Sequence, residues 1–99
     1  MTRYVVEFRA NPGEGDKAME LFRQMKEYFR SQHQKTLDVF YQAFGAPGTF
    51  QAVMDFESLA QLETLANAIR KDPAYQRLTD EARQAFTADS FTTNVYYQV

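Results

Sequence analysis

His33 is the only side chain in this sequence whose ordinary pKa lies near neutrality, which makes it the first candidate for a general acid, a general base or a metal ligand. It stands alone: with no second histidine and no Glu-x-x-His spacing, a histidine-based metal site within one chain is not expected. Its neighbours Ser31, Gln32, Gln34 and Lys35 place it just past a helix. A solvated cation there is favoured by the nearby carbonyl ends, and this plainer reading outweighs catalysis. A second group, Arg9, Asn94 and Tyr96, falls on one face of the first and last strands. Together they could hold an anionic or phenolic ligand, Arg9 as charge partner, Asn94 as oxyanion donor and Tyr96 as stacking surface or proton relay. The plainer reading pairs Arg9 with Glu7 or with an acidic residue across a dimer. Asp38 and Asp55 could share a site in which one carboxylate raises the pKa of the other, although exposed edge positions suit them better. There is no cysteine, so disulfides, thiolate nucleophiles and Cys-based metal sites are excluded. No cofactor is expected.

These residues have to be positioned by a short chain. Its 99 residues show no linker, composition shift or repeat, and we read residues 1–99 as one domain. Aromatic residues make up 15% of it, nine Phe and six Tyr without Trp, more than a small core readily hides, so some are expected to serve an interface. Eleven basic and thirteen acidic residues are interspersed, which leaves no basic stripe for a phosphate backbone and argues against a nucleic-acid partner. No apolar run approaches membrane-spanning length, and charge appears too early for a signal peptide, so the expectation is a cytoplasmic protein with no membrane partner.

Arg3 to Arg9 alternates with the period of a strand, and Asn11-Pro12-Gly13 stops it. From Glu14 to about Gln32, Ala18, Leu21, Phe22, Met25, Tyr28 and Phe29 recur at helical spacing over a charged opposite face. Two strands, Leu37 to Phe44 and Thr49 to Phe56, flank the turn-forming Gly45-Ala46-Pro47-Gly48. Ser58 and Gln61 form a capping box ahead of a second helix, and Asp72-Pro73 interrupts and restarts it. Phe91 to Val99 closes the chain as a strand. Met19, Met25 and Met54 sit in apolar stripes and read as core filler.

The order strand, helix, strand, strand, helix, strand predicts an α+β, ferredoxin-like βαββαβ fold, with a four-stranded antiparallel sheet and its helices on one face. Alternation assigns Tyr4, Val6, Phe8, Val39, Tyr41, Val95 and Tyr97 to the helix side. The bare face would carry Val5, Glu7, Arg9, Asp38, Phe40, Phe44, Val53, Asp55, Asn94 and Tyr96. Large apolar groups there would make an exposed patch, so we expect this face to pack against a second copy and to enclose a mixed polar and aromatic pocket. The candidate pocket residues are Val5, Glu7, Phe40, Phe44, Val53 and Asp55.

Three separated motifs carry a family resemblance: Asn11-Pro12-Gly13-Glu14 before the first helix, Phe56-Glu57-Ser58-Leu59 leading into the second, and Asp72-Pro73-Ala74-Tyr75-Gln76. Over nearly its whole length the chain resembles the dimeric α+β barrel superfamily, and within it the NIPSNAP-like and antibiotic-biosynthesis-monooxygenase-like small domains. The resemblance implies a homodimer whose sheets form a barrel, with a pocket between sheet and helices or within the barrel. The expected partners are a second copy of the chain and a small aromatic or acidic ligand. The family's cofactor-independent oxygenases use Trp, Asn and His or Tyr and Arg around the pocket, and its haem-degrading members use His and Trp; this chain has no Trp and one His. The leading expectation is a small-molecule-handling homodimer, either a cofactor-independent oxygenase-like enzyme or a ligand-binding relative. The alternative is a non-catalytic dimeric binding or structural module.

Overall fold

The computed structural model describes residues 1–99 as β1 (Thr2–Arg9), α1 (Gly15–His33), β2 (Asp38–Tyr41), β3 (Thr49–Phe56), α2 (Leu59–Arg70), α3 (Pro73–Ala85) and β4 (Thr92–Tyr97). The strands form one antiparallel sheet in the order β2-β3-β1-β4, with the helices on one face, as the sequence pattern predicts. Register fixes the neighbours: Val5 lies opposite Val53 on one side and opposite Asn94 on the other, while Arg3 lies between Asp55 and Tyr96.

Local chemistry sets the helix ends. Ser58 accepts from the Gln61 N–H at 3.3 Å, and Gln61 Oε1 accepts from the Glu57 N–H at 3.0 Å, so the capping box closes one residue earlier than its usual form. Asp72 accepts from the Ala74 N–H at 3.0 Å, with Pro73 at the first helical position where its missing donor costs nothing. α1 stops at Gln34 in the left-handed conformation, φ 52°.

Two strands differ from expectation. The segment expected to pair from Leu37 to Phe44 pairs only over Asp38–Tyr41. The Gln42 N–H still reaches Thr49 O at 2.9 Å, but the Gln42 amide then donates to Phe44 O at 2.7 Å, and positive φ at Gly45 and Gly48 turns the chain out of the sheet. Phe44 is therefore 93% exposed in a loop and is no part of the bare face. At the other end, Phe91 leaves the strand to stack on Phe8, with centroids 5.3 Å apart.

The core forms two clusters on the helix side. One gathers Phe8, Phe22, Phe50 and Phe86 around the fully buried Ala18 and Ala85. The other gathers Tyr28, Phe29, Met54, Phe56 and Leu78. Sheet residues in both come from β1, β2 and β3, never from β4. Val95 and Tyr97 consequently lie on the helix side with no helix over them, and all six residues of β4 are exposed. Met19, expected in the core, is 59% exposed on α1. No residue of α2 is fully buried, so this helix sits over the sheet without sealing against it.

Candidate functional site

The sheet has a concavity on each side. On the bare face a groove of about 570 Å³ is lined by Arg3, Val5, Phe40, Gln51, Val53 and Tyr96, with Met1, Tyr97 and Gln98 at one end. Four of the sequence-derived candidates, Val5, Phe40, Val53 and Tyr96, meet there. Asn94 shares a row with Val5, and Glu7 lies one row further on, between Gln51 and Thr92.

Arg9 does not join them. In an antiparallel pair the residue beside Tyr96 is Arg3, and Arg9 is six residues further along β1, about 20 Å away. Its backbone is occupied elsewhere, with the N–H donating to Ser90 Oγ at 2.9 Å and the carbonyl accepting from the Thr87 N–H at 2.9 Å. The proposed grouping of Arg9 with Asn94 and Tyr96 is thus corrected by register: the cation in this row is Arg3.

Arg3 holds Asp55 in a two-pronged bond, Nε to Oδ1 at 2.8 Å and Nη2 to Oδ2 at 3.0 Å. That pairing keeps the Asp55 carboxyl below the usual carboxylate range, the opposite of what a coupled Asp38–Asp55 pair would need. The shared-site reading of those two aspartates therefore gives way to an arginine clamp. Both side chains are nearly half exposed, so the pair orients more than it stabilises.

His33 is the last residue of α1, and its imidazole is engaged. Nε2 lies 3.1 Å from the Tyr28 hydroxyl, which donates to Asp72 Oδ2 at 2.5 Å. A phenol has one proton, and here Asp72 receives it, so the Tyr28 oxygen accepts from His33 and Nε2 carries a hydrogen. Burial, reinforced by the hydrogen bond to Asp72, pushes the Tyr28 phenol far above its ordinary value, and it remains a donor. The bond from Tyr28 lowers the Asp72 carboxyl, with the Ala74 N–H and the His33 charge assisting. Nowhere do three carboxylate or imidazole groups converge as metal ligands would.

On the helix side lies a cleft of about 530 Å³, bounded by β1, β3 and all three helices. Twenty of its 22 lining residues are hydrophobic, the exceptions being Thr79 and Arg83 on α3. α2 faces the cleft with partly buried Leu62, Leu65, Ala66 and Ile69, of which Leu62, Leu65 and Ile69 also pack against the second core cluster. Two phenols face into it. Tyr4 and Tyr75 make no hydrogen bond through their hydroxyls, and every buried side-chain polar atom in the molecule has a partner, so the Tyr75 hydroxyl borders open space. Burial raises the Tyr75 phenol, and the neighbouring Tyr4 adds to the shift. The sequence pattern places Tyr4 on the helix side and Tyr75 in the motif that restarts the helix.

No family model matches the sequence, and no curated protein matches it. Solved structures do. A structure described as an antibiotic biosynthesis monooxygenase superposes over 100% of this chain and 99% of its own, with TM-score 0.77 and 18% identity. An uncharacterised NIPSNAP domain protein from Burkholderia xenovorans matches 100% of this chain and 95% of its own at TM-score 0.84 and 11% identity. A NIPSNAP family protein from Agrobacterium tumefaciens covers 99% and 92% at TM-score 0.82 and 12% identity. The chain has the ferredoxin-like α+β fold of these proteins. This is the fold the motifs around Pro12, Ser58 and Asp72 led us to expect, and at such identities the likeness is one of fold alone. The ferredoxin-like sheet explains why both concavities exist, since its helices cover one face and leave the other open. No helix is long and apolar enough to cross a membrane.

Proposed function

We propose that this chain handles a small apolar molecule, held in the cleft between helices and sheet, and that two copies pair through the bare sheet face. The observation that carries the reading is the cleft itself. A space of about 530 Å³ with 20 hydrophobic residues among 22 is within the size range of small-molecule sites, and a few polar groups on apolar walls are their usual composition. Pairing is supported by Phe40 and Tyr96, both more than half exposed beside the groove on the open face.

The finer form of the proposal is an oxygenase-like enzyme that needs no cofactor, a chemistry suggested by the description of one structural neighbour as an antibiotic biosynthesis monooxygenase. In that form the cleft keeps an aromatic substrate dry, and Tyr4 and Tyr75 supply its hydrogen bonds. The second form is a non-catalytic binding module. It is favoured by the position of the proton-handling groups His33, Tyr28 and Asp72, which belong to the α1–α3 contact and are absent from the cleft wall.

A neutral fluorescent probe such as N-phenyl-1-naphthylamine tests the cleft. It should bind the native protein once per chain, and Ala66→Trp, which fills the cleft from α2, should weaken it by about tenfold or more with the circular dichroism spectrum preserved. Equal binding by the filled variant would place the probe elsewhere and overturn the reading. Oxygen consumption with an aromatic polyketide then separates enzyme from module.

A further inference from the structure

We infer that the ligand of the helix-sheet cleft is an amphiphilic carboxylate, with its apolar tail along the cleft and its carboxylate against Arg83 at the rim. This rests on the cleft being a ligand site and adds the chemical class of what it takes.

Shape is the first argument. α3 contributes Tyr75, Thr79, Ala82 and Arg83 to the wall, about 12 Å of helix, and Phe86, Ala88 and Phe91 carry the lining on past its end. A lining that runs along one face of a helix and on past its end suits an extended tail better than a compact molecule.

Charge is the second. Arg83 is the only charged residue among the 22 that line the cleft. Its side chain is 81% exposed, so it stands at the rim where a headgroup meets water. One of its donors, Nη1, is used on Asp80 Oδ1 at 3.1 Å. The edge formed by Nε and Nη2 is unoccupied, and that edge matches the two oxygens of a carboxylate. A phenol or an alcohol could use only one of those donors, so the fork discriminates by charge and by geometry. Asp80 competes for the same guanidinium from one turn away on α3.

Displacement of N-phenyl-1-naphthylamine by dodecanoate and by dodecanol, both below their aggregation limits and at low salt, compares two ligands with the same tail. We expect dodecanoate to displace the probe at roughly tenfold lower concentration. Arg83→Gln should bring dodecanoate to the level of the alcohol, and Asp80→Asn should strengthen dodecanoate without changing the order of the two. Equal displacement by both ligands in the native protein overturns the inference, as does a preference that survives Arg83→Gln. In either case a probe displaced by the alcohol leaves the cleft reading standing. Failure of the native protein to bind the probe removes both.

Discussion

The Tyr28 hydroxyl donates to the Asp72 carboxylate at 2.5 Å across 44 residues of sequence, joining the last turns of α1 to the residue that caps α3. Asp72 therefore serves two partners, and its carboxyl is held below the ordinary value first by Tyr28 and then by the Ala74 N–H. An unfolded aspartate takes up its proton near pH 4, about 3.9, while the folded one does so at lower pH. Between those limits the unfolded state binds more protons, so the contribution is complete above about pH 4 and is lost as pH falls through the folded value. Tyr28→Phe removes the largest cause of the shift. It should lower the melting temperature by about 4–8 °C at neutral pH, and the difference from the native protein should narrow at about pH 2.5. Thermal melts at the two pH values check this, and a constant difference would show that lost packing, rather than the bond to Asp72, sets the cost.

The open sheet face leads to a second expectation. Phe40 is 56% exposed and Tyr96 54% exposed, on opposite sides of a groove floored by Val5 and Val53. If this surface joins two copies, Phe40→Asp puts an unpaired charge where a desolvated contact should form, at little cost to the isolated chain because the site is already half in water. Sedimentation equilibrium at about 10 μM should give twice the chain mass for the native protein and the single-chain mass for the variant, with unchanged circular dichroism. A native protein that sediments as a monomer under those conditions would remove the proposed pairing.

What could be read beforehand follows from the range of the physics involved. Alternation and capping are local, so Thr49–Phe56 was legible as a strand, Ser58 with Gln61 as a helix start and Asp72-Pro73 as a restart. Register is not local. Alternation put Arg9 and Tyr96 on one face, but only the pairing of β1 with β4 shows that Arg3 is the cation beside Tyr96. The signal that could have found Arg3 is the antiparallel order itself, which sets the start of β1 against the end of β4. The β2 strand ended early because a Gln42 side chain and two glycines with positive φ outweighed three further residues of strand pattern. The cleft was hidden for a related reason. A pattern says that Tyr4, Val6 and Leu65 turn inward and says nothing about whether their side chains meet.

Two alanines that face the same side of the sheet should answer oppositely to the same enlargement. Ala18 on α1 is fully buried in the cluster with Phe22, Phe86 and Ala85 and, unlike those two phenylalanines, does not line the cleft. Ala18→Leu must displace aromatic neighbours and should cost about 1–3 kcal/mol in urea unfolding. Ala66 on α2 lines the cleft, and the carbons added by Ala66→Leu would enter open volume beside Leu62, Leu65 and Ile69. Burial of new apolar surface without strain stabilises by about 0.8 kcal/mol per methylene, so Ala66→Leu should be neutral or stabilising while it weakens binding of the apolar probe. Equal destabilisation by the two substitutions would mean that the native protein in solution has closed α2 onto the sheet. The opposite signs would establish that the space beneath α2 is held open by the rest of the fold and is available to a ligand.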